Sequence, residues 1–354
     1  MANISFKNFV DVNIQPKISR EVQSTRKEVI ILTDEVDTSS ETFTGLTSAS
    51  LDNSNFPTTN KYLTMYFKNG GISATVITGI TFVKANILTA LESIADKYIV
   101  IAFANSSEAE NYSVLKSVAQ DDTFIARKGI NEKILVSRSD VFTDTDDVRN
   151  IAVKYSTIIG AEMTMAAYLS QIDVYKINSI KDYMFTAEAI TAEDISNDDF
   201  TDIITRNYNV DINLQGIVRD CGGNCKDGDS LTNNYTRIVL NQTLTERLVN
   251  LLTSKLSSTD GVSKIYATIV NELEYYKSNG YLSTDKIWEY DDLVIDGITV
   301  ITKGTALLSG YYVKVFPMSS LTPTQKKAHQ APPIYVIVAD QYSIRLIKVD
   351  GEVI

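Results

Sequence analysis

The sequence predicts two globular parts, an α/β part followed by an α+β part, with an extended β arm at each end of the chain. Three observations predict it. Between residues 28 and 159 short β-branched apolar runs alternate with helical stretches, the pattern of a largely parallel sheet covered by helices. From about residue 207 the order becomes a strand, two long amphipathic helices and then hairpin strands. The N-terminus carries an alternating apolar segment with no hairpin mate beside it, and two strong strands, IYVIVAD and YSIRLIKVDGEVI, close the sequence.

Each element follows in order. Residues 1–25 are the expected N-terminal arm, in which Val10, Val12 and Ile14 alternate with Asp11, Asn13 and Gln15 until Pro16 halts the strand. The expected α/β domain spans 26–160 and reads EVIILTD, KYLTMYFKNG, SATVITGI, NILTALESIADK, YIVIAFA, a helix near 107–120, KILVSRSD and VRNIAVKYSTIIG. A connector over 161–206 holds the helix GAEMTMAAYLSQI, the strand SIKDYMFTAE and the acid-started helix AEDISNDDFTDIITR. In the first of these Met163 and Met165 read as gap-filling core.

The expected α+β domain, 207–335, opens on YNVDINLQGIVRD, read as one strand. After the loop RDCGGNCKDGDS comes the helix YTRIVLNQTLTERLVNLLTSKL, capped by Thr232 or Asn233, with Ile238, Leu240, Leu244, Leu248, Leu251 and Leu252 near a 3.6 period. A second helix, SKIYATIVNELEYYKSNG, repeats the pattern with Ile265, Ile269, Leu273 and Tyr276 and stops at Asn279–Gly280. DLVIDGITVI and GYYVKVFP follow, with Asp296–Gly297 as a hairpin signal. Residues 336–354 are the expected C-terminal strand arm; there Ile344 and Leu346 face one way, Ile347 and Val349 the other.

Composition narrows the function. Thirty-three basic against forty-four acidic residues leave a net charge of −11, spread along the chain, which opposes binding to nucleic acid or anionic lipid. No window approaches the roughly 18 uninterrupted apolar residues of a membrane helix, and MANISFKNFVDVNIQP lacks a signal peptide's basic start and apolar run. The chain is therefore expected to be made and kept in a cytoplasm.

The only two cysteines, Cys221 and Cys225, have no second pair to complete a tetrahedral zinc site, lack the C-x-x-C redox spacing, and lie about a hundred residues from the single histidine, His329. Asn224, Asp227 and Asp229 are oxygen donors, yet no glutamate closes an EF-hand loop. The loop reads as a Gly-Asn-Asp turn leading into a helix. GxGxxG after the first strand, GxxxxGK[ST] and GxSxG are all absent. Asp34 reads as a cap or solvated turn, and His329 as an exposed helix-end residue.

Taken in order, the C-terminal residues resemble the contractile tail sheath proteins of phages, R-type bacteriocins and related injection machines, including diffocin-like sheaths of Gram-positive hosts. GIVRDCGGNCKDGDSL followed by NYTRIVLNQTLTERL is similar to that family's strand, Gly-rich loop and long helix. IVNELEYYKSNGYL is similar to its second helix, GYYVKVFP to its Y-x-V-x-x-P strand, and QKKAHQAPPIYVIVADQYSIRLIKVDGEVI to its closing basic helix and strands. The resemblance extends over about 160–354, GAEMTMAAYLSQI and SIKDYMF included, and is topological before that.

It implies a structural subunit with no catalytic group, cofactor or metal, polymerising around a tail tube by strand exchange and contracting to drive the tube through a cell envelope. Val10, Val12, Ile14, Ile344, Leu346, Ile347 and Val349 would make the inter-subunit arm contacts, and Lys326 and Lys327 would meet the tube. The implied partners are copies of the chain, the tube, baseplate and tail terminator proteins, with no nucleic acid or membrane. Assembly would take place in the producing bacterium's cytoplasm, and the product would be a phage tail or a released bacteriocin particle. The alternative is a nucleotide- or sugar-using α/β enzyme, whose pocket would lie at the strand ends around Asp34, Thr78–Gly79 and Asn105.

Overall fold

The computed structural model describes residues 28–94, 99–107, 109–121, 133–172, 184–252 and 260–340. The arm residues Val10, Val12, Ile14, Ile344, Leu346, Ile347 and Val349 lie outside the described residues.

A mixed sheet of nine strands organises most of the chain. Its strands are β1 (Glu28–Thr33), β2 (Thr42–Leu46), β3 (Ser73–Ile77), β4 (Val100–Ala104), β5 (Ile134–Ser139), β6 (Ile151–Tyr155), β7 (Met184–Thr186), β8 (Asn209–Leu214) and β9 (Ile217–Cys221), in the order β2-β3-β1-β4-β5-β6-β8-β9-β7. From β3 to β8 all neighbours run parallel, while β2, β9 and β7 close the edges antiparallel. The central parallel strands β1 and β4 are almost wholly apolar because both faces are covered, while β5, β6 and β8 also bury polar side chains. Val29, Ile31, Val76 and Ala102 pack on one face with α1 (Pro57–Lys68) and α4 (Met163–Gln171). Ile30, Leu32, Ile101 and Phe103 pack on the other with α2 (Lys84–Ser93), α3 (Tyr112–Ala119) and α5 (Asn197–Thr205). Met163 and Met165 are buried in the first of these cores.

The sheet does not stop near residue 160, where the sequence suggested a boundary. β8 pairs in parallel with β6, Lys154 opposite Asn209, so the stretch 161–206 contributes β7 to the far edge and one helix to each face. The change of pattern there marks a switch from parallel to antiparallel pairing rather than a new core. YNVDINLQGIVRD, read as one strand, is a hairpin: Gln215 and Gly216 adopt φ of 54° and 84°, and Leu214 pairs with Ile217. Both central residues are left-handed, as a two-residue hairpin loop of this hand requires. Gln-Gly is a weak form of that signal, so alternation on both sides masks the turn.

The helices α6 (Leu231–Leu252) and α7 (Asp260–Ser278) complete the first core through Ile238, Leu240, Leu244, Ile269, Leu273 and Tyr276. The cap of α6 is Ser230, whose Oγ accepts the Asn233 N–H at 3.3 Å; Thr232 and Asn233, expected to cap, lie inside the first turn. α7 ends as expected. Gly280 is left-handed at φ 80°, and the Tyr281 and Gly280 amides return to the carbonyls of Tyr276 and Lys277. Beyond it lie a small hairpin, β10 (Leu293–Ile295) and β11 (Ile298–Ile301), and a separate ribbon, β12 (Tyr311–Val315) and β13 (Ile334–Val338), joined through α8 (Pro323–Lys327).

One polar feature is buried inside the large sheet. Lys154 of β6 faces Asp211 of β8 at 3.0 Å and also reaches Asp220 of β9, while the Thr164 hydroxyl of α4 donates to Asp220 at 3.0 Å. All three charged side chains are fully buried, and Asp220 Oδ1 has no hydrogen-bond partner among the described residues. Burial disfavours ionisation of both carboxylates, and one ammonium does not offset it for two: Asp211 is raised to about 7, and Asp220 is raised as well.

Folded Asp211 thus holds a proton that the unfolded chain has released between pH 4 and 7, so its contribution to stability falls as pH rises through that window. Urea unfolding at pH 5, 6, 7 and 8 should show this fall, and Asp211→Asn should flatten it. Lys154→Met, which leaves two buried carboxylates without a cation, should lower stability by about 3–5 kcal/mol in the same measurement.

Candidate assembly surface

The order β3-β1-β4-β5-β6 is that of a doubly wound nucleotide-binding sheet, so the carboxyl ends of β1 and β4 are where a pocket would open. The chain's own side chains occupy that place. Glu35 accepts the Thr58 and Thr59 amides at 2.8 Å each and the Thr59 hydroxyl at 2.6 Å, which puts a carboxylate at the N-terminus of α1 where a phosphate would otherwise be received. Asp34 accepts the Ser106 amide and hydroxyl, both at 2.7 Å, and so ties the β1 end to the β4 end. Thr78 accepts the Glu41 amide at 2.7 Å, the Gly79 amide donates to the Glu35 carbonyl at 3.0 Å, and Asn105 accepts the Ser107 hydroxyl at 2.8 Å. Asp34, Thr78–Gly79 and Asn105 are brought together, but they bind one another's loops.

The cysteine loop is fastened to the sheet at two points. Asn209 of β8 receives the Asn224 amide at 2.9 Å and donates to the Asn224 carbonyl at 2.9 Å. At Gly222, φ 123°, a Cβ would lie 2.8 Å from both the Tyr208 carbonyl and Asn209 Oδ1, so the close approach of loop and strand needs glycine. Lys226 is buried, donates to the carbonyls of Asp144 (2.9 Å) and Arg206 (2.7 Å), and lies 4.2 Å from the centre of the Tyr208 ring. Burial lowers it to about 8.

Cys221 and Cys225 are free, buried thiols; burial pushes Cys221 up to about 12 and Cys225 well above the ordinary thiol range. Among the described residues no group of three His, Cys, Asp or Glu side chains is placed to hold a metal ion. Sequence reading missed Glu35 and Lys226, whose roles depend on partners far along the chain.

The β12–β13 ribbon is built differently. Tyr311, Val313, Ile334, Val336 and Val338 turn toward the core formed by α6 and α7, and the Tyr311 hydroxyl donates to Glu274 of α7 at 2.6 Å. Tyr312 and Ile337 turn the other way, against Trp288, Leu293, Ile301 and Leu307 of the 282–308 lobe. Both faces are therefore covered. Among the described residues no strand pairs with the outer edge of β12 or of β13.

At one end of the ribbon α8 starts with a reciprocal cap: the Gln325 amide donates to Thr322 Oγ1 at 3.2 Å and the Thr322 amide to Gln325 Oε1 at 2.8 Å. Lys326 and Lys327 stand exposed in its last turn, and His329, also exposed, takes the left-handed position after it at φ 57°.

Residues 232–353 match the family model described as E217 tail sheath protein gp31-like, C-terminal domain. That C-terminal stretch is therefore similar to a tail sheath domain. The fold of the chain is similar to that of a chain of the anti-feeding prophage baseplate (six-fold symmetrised cryo-EM structure), with a TM-score of 0.67 at 14% identity over 96% of this chain and 98% of that one. The contracted-state baseplate structure of the same particle gives 0.58 at 13% identity over 97% and 98%. A sheath tail protein from Desulfitobacterium hafniense matches more distantly, with 0.48 at 9% identity over 78% and 91%. No curated protein matches in sequence. The family match starts at the second residue of α6 and spans the β12–β13 ribbon.

Because both thiols are buried and held protonated, a disulfide exchange reagent such as DTNB should label neither cysteine of the native protein at pH 8. Both should react in 6 M guanidinium, and native labelling within minutes would contradict the loop geometry described above.

Proposed function

We propose that this chain polymerises around a tail tube by exchanging its terminal strands with neighbouring copies, and that the resulting sheath shortens to drive the tube through a cell envelope. The observation that carries the proposal is the β12–β13 ribbon, covered on both faces and open at both edges among the described residues. An isolated two-stranded ribbon is marginal in water, and an exposed edge is a template for a strand from another chain. The alternating segments at the chain ends, Val10, Val12 and Ile14 on one side and Ile344, Leu346, Ile347 and Val349 on the other, have the pattern such an edge accepts.

Energetics favour many weak junctions over one strong one. Burying the three aliphatic side chains Val10, Val12 and Ile14 contributes about 5–9 kcal/mol and each ladder bond about 1 kcal/mol, against about 1–2 kcal/mol for each residue ordered. The terms nearly cancel for a single junction. A subunit tied at several junctions is retained by avidity, and junctions between unlike surfaces propagate into a helical tube when they do not close. Shortening would then be a collective move between two lattices, with the arms as hinges and the cores as rigid bodies.

Lys326 and Lys327 on α8 are the proposed tube contacts, and the tube, baseplate and terminator proteins the proposed partners. Assembly would proceed in the cytoplasm of the producing bacterium.

Deleting residues 1–20 should leave a folded, monomeric protein that forms no tubes by negative-stain microscopy, whereas the full chain expressed with its tube protein should form them. Unfolding of the truncated chain would place the arm in its own subunit's core and overturn strand exchange. The double change Lys326→Glu, Lys327→Glu should retain polymer formation and abolish co-sedimentation with tubes.

A further inference from the structure

The geometry points to Arg237 and Asp340 as a clamp that fixes the root of the C-terminal segment to the core and keeps load on that segment from unzipping β13. The inference rests on the strand-exchange reading, because only a segment held by another subunit carries load.

Three segments cross where β13 ends. The Ala339 amide donates to the Gly310 carbonyl at 2.8 Å, the Ser283 amide donates to the Ala339 carbonyl at 2.9 Å, and Asp340 forms a β-bridge with Leu282. The crossing is close enough that a Cβ on Gly310, φ 74°, would lie 2.7 Å from Leu282 Cβ and 3.1 Å from the Ser283 carbonyl. Arg237 reaches this crossing from the second turn of α6. Its side chain is 12% exposed, pairs with Asp340 at 3.3 Å through Nη1, and pairs with Asp229 at 2.9 Å through Nη2. Asp229 belongs to the loop fastened to the large sheet by the Asn224 amide on Asn209 of β8 and by the Lys226 amide on the Ile151 carbonyl of β6. One guanidinium thus links the end of β13 to α6 and, through Asp229, to the sheet.

The position matters mechanically. Residues 341–354 continue from Asp340, so tension on them arrives at the Val338 end of the ribbon. Without a clamp, the pair Tyr311 with Val338 would open first and the remaining pairs would follow one at a time, each opening costing only its own bonds. The Arg237–Asp340 pair and the two backbone bonds of Ala339 stand between that tension and the first pair of the ribbon. Load passes instead into a buried helix, which has to yield as a whole.

The test is hydrogen exchange on the unassembled full chain. In Arg237→Gln and in Asp340→Asn, amides of β12 and β13 should exchange about tenfold faster, the effect expected from losing a charge-assisted contact, with β1, β4 and β5 unchanged. The double variant should add nothing to Arg237→Gln, which already lacks the pair with Asp340, and Asp340→Glu should restore slow exchange. Pulling a single molecule from residue 354 should show an early low-force opening in Asp340→Asn that the natural chain lacks. Unchanged exchange and opening force in Asp340→Asn would overturn the clamp, as would equal acceleration across the large sheet, which would mean general destabilisation. These readouts need no polymer, so their failure is separate from a failure of the full chain to form tubes.

Discussion

Backbone hydrogen bonding at the β12–β13 ribbon is the constraint on which the C-terminal half depends. Burying the two faces against α6, α7 and the 282–308 lobe removes water from the side chains but leaves a row of amides and carbonyls along each edge. Such groups seek partners, and a ribbon of two strands contributes little stability of its own. α8 lies at one end of the ribbon and the Ala339–Asp340 crossing at the other, and among the described residues no strand pairs with either edge between them.

The large sheet solves the opposite problem. Both its faces and nearly all of its ladder are satisfied internally, and the strand ends that would form a pocket in a nucleotide enzyme are capped by Asp34, Glu35, Thr78 and Asn105. Glu35 is the most telling of these, because it supplies from the chain itself the negative charge that an N-terminal helix turn attracts. The fold likeness to a baseplate chain is thus combined with strand ends that the chain caps with its own side chains.

Much of this was legible before any coordinates. Apolar runs identify β1, β4 and the first halves of β5 and β6 because a strand covered on both faces is mostly apolar, and Asn279–Gly280 and Asp296–Gly297 mark a helix end and a hairpin because few other pairs tolerate the left-handed backbone there. What escaped depends on tertiary partners. The Gln215–Gly216 turn was hidden by alternation on both sides, and Ser230 was passed over as cap in favour of Thr232 and Asn233. Lys154, Asp211 and Asp220 give no local sign that three strands will stack them in one dry place. Of the proposed contacts, Lys326 and Lys327 are exposed as a binding role requires, while the arm residues fall outside the described residues.

The lobe over Tyr312 and Ile337 restricts how anything can reach the ribbon. With a roof above and two helices below, a newcomer cannot settle from above; it has to slide in from the side, already extended, and its pleat must match before its first bond forms. Under the proposed strand exchange, such a slot would reject pre-folded visitors and register an accepted strand to within a residue. A lattice built from slots of this kind would grow in a fixed order, each place becoming available only once the preceding copy has been seated.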